Sequence, residues 1–206
     1  MYKYNFIINV DDFGMNDSIN QACISLNKLK KINSISVIMN YQDQYKIKKY
    51  LKRYNGKIGL HLNWTENKPT IKKLKTKFYN QGCFQGYKKI LASYIFGKLN
   101  YDDLYKEAEN QLRMLKKISP KIDHIDGHQH IHMLPILWRV VNDLASKYKI
   151  PRVRHPIEKI YWGDQFSLIF KKIIFYFLSF FNKKYYNLRY FNFFGHSLQN
   201  SKNYKK

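Results

Sequence analysis

Two adjacent carboxylates, Asp11 and Asp12, stand directly behind the apolar run FIINV, and four of the seven histidines fall within nine residues, H-I-D-G-H-Q-H-I-H from His124 to His132. Imidazoles and carboxylates are the ligands that share mixed nitrogen and oxygen sites for divalent metals. Two carboxylates this close repel unless a cation or a shared proton relieves them, which argues for a metal beside Asp11 and Asp12. Adjacent residues at a strand end point in different directions, so one can ligate while the other moves a proton. A third piece is His61, at the end of the aliphatic stretch K-I-G-L-H-L-N. Alone it would read as a structural histidine, as Asp11 alone would read as a turn cap. The D-F-G at residues 12–14 is not the magnesium motif of a protein kinase, because no glycine-rich loop, strand lysine or H-R-D loop precedes it.

Strand-like runs recur at residues 4–10, 34–40, 57–63, 121–126 and 152–155. Helical stretches lie between them. Residues 17–31 read as a helix capped by Asp17 or Ser18, residues 102–117 carry Leu104, Ala108, Leu112 and Leu115 near helical spacing, and Pro135 opens a helix over 135–148. This alternation predicts an α/β fold with a mostly parallel sheet, doubly wound or closed into a barrel. In both, function collects at the C-terminal ends of the strands, which brings Asp11, Asp12, His61 and the histidine cluster to one face. Residues 64–100 break the rhythm with Pro69, Gly82, Gly86 and Gly97 and read as an insertion over that face.

A chain of 206 residues is of single-domain size. Its net charge of +23 comes from lysines spread along the length, so specific nucleic-acid binding is not expected. The two cysteines form no CxxC pair and MYKYNFIINVDD has no secretory apolar region, so a cytoplasmic location is expected. The greasy segment 166–181 has Lys171 and Lys172 in its middle and is shorter than the ~20 apolar residues of a membrane span. The basic, aromatic stretch 166–190 suits a peripheral membrane contact as an amphipathic helix, or else a buried helix with a basic outer face. Nothing in the pattern speaks to oligomeric state.

Three motifs carry a resemblance: N-V-D-D-F-G-M near the start, G-L-H-L-N-W-T-E at 59–66 and D-G-H-Q-H-I-H-M-L-P at 126–135. In this order the sequence resembles the YdjC-like (ChbG-like) carbohydrate deacetylase family, from the N-terminus to about Pro156. The resemblance implies a distorted TIM-like βα barrel of mostly parallel strands, spanning 1–206 as a single domain. It implies metal-dependent removal of an acetyl group from an N-acetylated amino sugar or oligosaccharide. It also implies a divalent metal, commonly magnesium with zinc or another transition metal as alternatives, held by Asp12, His61 and His128, with Asp11 as the general base. His130 and His132 are then the candidates for a general acid or a substrate contact. N-F-F-G at 192–195 has Asn192 where the family usually has Asp, and no His-Pro-Gly element follows before Lys206. Residues 157–206 therefore read as divergent and shortened, with a barrel incomplete at that end. The alternative this leaves is a catalytically weak carbohydrate-binding or membrane-surface protein that keeps the metal site.

Overall fold

A computed structural model describes residues 6–71, 79–80, 82–162 and 164–182. Four parallel strands form the main sheet: β1 (Asn9–Phe13), β2 (Ser34–Val37), β3 (Lys57–Leu62) and, further on, β6 (His124–Gly127), side by side in that order. The four strands lie across the sheet in their order along the chain, the progression of a barrel wall rather than of a doubly wound sheet. Among the described residues the sheet stays open. The run RVRH adds only a parallel bridge of Val153 to Ile125.

Helices α1 (Asp17–Lys28) and α2 (Gln44–Leu51) connect the first strands, and α4 (Tyr101–Ile118) and α5 (Pro135–Lys147) flank β6. The expected stripe of Leu104, Ala108, Leu112 and Leu115 on α4 is wholly buried, in one continuous core with Leu137, Val141 and Leu144 of α5, the helix packed against it. α1 is capped by Asn16, whose extended backbone lets its side chain accept from the Ile19 amide at 2.9 Å. Asp17 and Ser18 were the expected caps. Asp17 instead lies inside the first turn, where its carboxylate meets Lys46 at 2.8 Å.

The stretch 64–100 holds a short antiparallel pair, β4 (Tyr79–Asn80) and β5 (Cys83–Phe84), and α3 (Gly86–Ile95). Bonds from the Phe84 amide to the Asn67 carbonyl (2.9 Å) and from the Gly86 amide to the Thr65 carbonyl (2.7 Å) fasten it to the loop leaving β3. α6 (Phe166–Asn182) packs against α5, and no described helix is long and apolar enough to cross a membrane. The rest of 166–190 and the N-F-F-G element lie outside the described residues.

Candidate metal and catalytic site

β1 begins and ends later than its apolar run suggests, so both aspartates belong to the strand. Val10 faces Ile35 and Phe13 faces Val37, which leaves Asp11 and Asp12 opposite the single residue Ser36. This is a bulge, and Asp12 takes it up with a φ of 64°. Adjacent strand residues normally face opposite sides of a sheet; the left-handed turn at Asp12 frees the pair from that alternation.

Asp12 Oδ1, His61 Nε2 and His128 Nδ1 form a small triangle. The carboxylate oxygen is 3.2 Å from His61 and 3.0 Å from His128, and the two imidazole nitrogens are 3.3 Å apart. Donors ~2.1 Å from one ion stand ~3.0 Å apart in neighbouring octahedral positions and ~3.4 Å apart in a tetrahedron. Asp12 Oδ1 is buried and makes no hydrogen bond among the described residues, although both imidazoles are close. Three ligand atoms of these types, mutually 3.0–3.3 Å apart and including one buried carboxylate oxygen, fit a cation. Burial disfavours charge on Asp12, but His128 and His61 outweigh it and hold the carboxyl well below the usual range. Burial likewise opposes a charge on His61; Asp126 on one side and Asp12 on the other overcome it and push His61 up to about 10.

The residues behind this triangle are as ordered as the triangle itself. His61 Nδ1 donates to Asp126 Oδ1 at 2.5 Å, which fixes the ring with Nε2 toward Asp12. Asp126 is wholly buried and its other oxygen accepts from Ser36 Oγ (2.6 Å) and from Arg154 Nη2 (2.7 Å). Arg154 also grips Asp11, with Nη1 donating to Oδ2 at 2.6 Å and Nη2 to Oδ1 at 2.7 Å, while Asn9 Nδ2 donates to Oδ1 at 2.8 Å. Ser36, His124 and Asp123 also fall in a row, at 3.0 Å and 3.3 Å, like a nucleophilic triad. Ser36 is wholly buried and gives its proton to Asp126, so it braces the site instead of attacking a substrate.

His128 opens a 3₁₀ segment, His128–Met133, in which Gln129 and His130 both have a φ of 55°. His130 is half-buried with its ring edge-on to Phe175 of α6, centroids 5.9 Å apart. His132 is wholly buried, stacks on Trp138 and donates from Nε2 to the Arg154 carbonyl at 3.0 Å. Burial pushes His132 down to about 4, so it is neutral near pH 7.

The profile of the family described as YdjC-like protein matches residues 5–205. The chain belongs to the YdjC-like family. It is 31% identical to a carbohydrate deacetylase of Danio rerio over 162 residues, which are 76% of this chain and 51% of that protein. A carbohydrate deacetylase of Clostridium beijerinckii is 31% identical over 152 residues, 72% of this chain and 59% of that protein. This YdjC-like chain thus spans about half the length of the curated relatives it matches. A crystal structure from Enterococcus faecalis V583, of a protein provisionally named for cellobiose-phosphate cleavage, superposes with a TM-score of 0.67. It is 23% identical, covering 89% of this chain and 65% of that one, and supports the fold.

Three residues of this YdjC-like site went unnoticed in the sequence: Asp126, Arg154 and Glu66, whose Oε2 lies 3.4 Å from His128 Nε2. Asp126 and Glu66 lie inside two of the family motifs, where the histidines draw the eye. Arg154 lies in the basic run R-V-R-H, where nothing local marks it off from Arg152 as the partner of a buried carboxylate.

Proposed function

We propose that the chain is a hydrolase that removes the acetyl group of an N-acetylated amino sugar, with a divalent metal held by Asp12, His61 and His128 and with Asp11 as the general base. The observation that carries this reading is the pairing of a convergent ligand triangle with a neighbouring carboxylate held by other hands. A cation bound there supplies polarisation of the acetyl carbonyl and acidifies water. Two imidazoles and one carboxylate form a set that suits zinc, cobalt or manganese better than magnesium, which favours oxygen ligands.

Asp11 has about four lone-pair positions, of which Arg154 occupies one on each oxygen and Asn9 another on Oδ1. One on Oδ2 is left, and there Asp11 takes the proton of the attacking water. Arg154 holds the carboxylate aimed through two hydrogen bonds, which removes reorganisation at the moment of transfer. The departing amine needs a proton in return. His130, half-buried at the strand-end face, is the proposed donor; His132, with Nε2 committed to the Arg154 carbonyl, steadies the segment that carries it. A complete base and ligand set favours hydrolysis over a binding-only role.

Incubation with N-acetylated chito-oligosaccharides and manganese, cobalt, zinc or magnesium should release acetate. Asp11→Asn should bind metal as the parent does and lose turnover by roughly 10²- to 10⁴-fold. Unaltered turnover in Asp11→Asn would remove Asp11 as the base, and no acetate with metal demonstrably bound would remove the deacetylase reading.

A further inference from the structure

We infer that Glu66 is a positioning residue for the metal site, holding His128 in the one tautomer and ring angle that present Nδ1 to the cation; the inference rests on the ligand set proposed above. An imidazole that ligates through Nδ1 must carry its proton on Nε2, and a carboxylate at that proton settles both tautomer and orientation. His128 has this disposition: Nδ1 is 3.0 Å from Asp12 Oδ1 and Nε2 is 3.4 Å from Glu66 Oε2. It mirrors His61, where Nε2 faces Asp12 and Nδ1 is held by Asp126. The two ligands are thus braced by carboxylates from opposite sides, one wholly buried and one at the rim.

Glu66 is itself fixed. Tyr41 Oη donates to Oε2 and Gln129 Nε2 to Oε1, both at 2.6 Å, so the carboxylate joins the loops that follow β2, β3 and β6. Its backbone is set by Asn63, whose Oδ1 accepts from the Glu66 amide at 3.1 Å and whose Nδ2 donates to the Glu66 carbonyl at 2.9 Å. Gln111 of α4 brackets Asn63 in turn, accepting from its amide at 3.0 Å and donating to its carbonyl at 2.7 Å. An independent observation agrees. Gln129, next to His128, is held in a left-handed conformation that costs a non-glycine residue ~1–3 kcal/mol, and its side chain is anchored by the same carboxylate.

The test is manganese binding by titration calorimetry to the parent chain, Glu66→Gln and Glu66→Ala, with thermal unfolding alongside. Glu66→Ala should weaken binding about 10- to 100-fold. Glu66→Gln should weaken it less, because an amide oxygen in the same place can face the Nε2 proton as the carboxylate oxygen does at 3.4 Å. The metal-free unfolding midpoint should stay near the parent value, and the visible spectrum of bound cobalt should shift in both variants, which a merely structural role would not produce. If Glu66→Ala does not fold, Glu66→Gln decides. Parent-like affinity with a parent-like cobalt spectrum in a folded variant overturns the assignment alone, whereas a parent chain that binds no metal overturns the ligand set and this inference together.

Discussion

Asp11 and Asp12 are neighbours in sequence with different company, and that company separates their tasks. Asp12 meets two imidazoles and Asp11 meets a guanidinium. The cost of crowding carboxylates is met by Arg154, which sits between Asp11 and the buried Asp126 and donates to both. Removing it leaves two carboxylates short of their cation, one of them wholly buried. Arg154→Met should therefore destabilise the fold by about 3–5 kcal/mol, read as a lower urea midpoint. Arg154→Lys should recover part of that loss, because an ammonium restores the charge but cannot span both carboxylates as a fork does. The aspartate pair and the histidines were legible because unusual residue types at a strand end need a reason. Arg154 was not, because its partner Asp11 lies 143 positions earlier and only the sheet brings them together.

At the level of elements, the parallel strands and three of the helices follow from apolar spacing, and their ends do not. β1 shows why: the run of apolar residues ends at Val10, but pairing with β2 continues through the bulge to Phe13. Hydrophobic patterning records burial, and a strand that carries a site hides polar residues where the pattern reads a stop. β6 illustrates the opposite constraint, since its terminal Gly127 lies against His132. A Cβ there would stand 2.6 Å from His132 Nδ1, an atom of a ring already stacked on Trp138. Gly127→Ala should cost ~1–3 kcal/mol through that overlap, measurable as a lowered unfolding midpoint. It should also weaken manganese binding, because His128 is the next residue in the chain.

Over the whole molecule, one sheet gathers residues from four separate stretches, and it does so by burying imidazoles in a chain of high positive charge. Burial leads the depression of His124 and His132 and is the cause at His155, and all three are pushed down to about 4. The ordinary histidine value is ~6.5, so protons bind the unfolded chain before the folded one. The stability these residues contribute is complete above about pH 6.5 and is lost as the pH falls toward about 4. His61 works in the other sense, because its value is raised to about 10 in the metal-free chain. Its contribution is full below about pH 6.5 and fades as the pH rises, so it does not offset the acid loss. Urea unfolding of the metal-free chain should give a midpoint that falls steadily between pH 6.5 and 4.5. A wholly buried imidazole such as His132 accounts for ~1.4 kcal/mol per pH unit, and half-buried His155 for less because solvent screens it. His155→Phe keeps a ring beside Trp138, whose centroid is 5.3 Å away, and removes one titrating group. It should flatten the acid side of the profile while leaving the midpoint at pH 7.5 nearly unchanged, and a profile as steep as the parent's would show that His155 is protonated equally in both states.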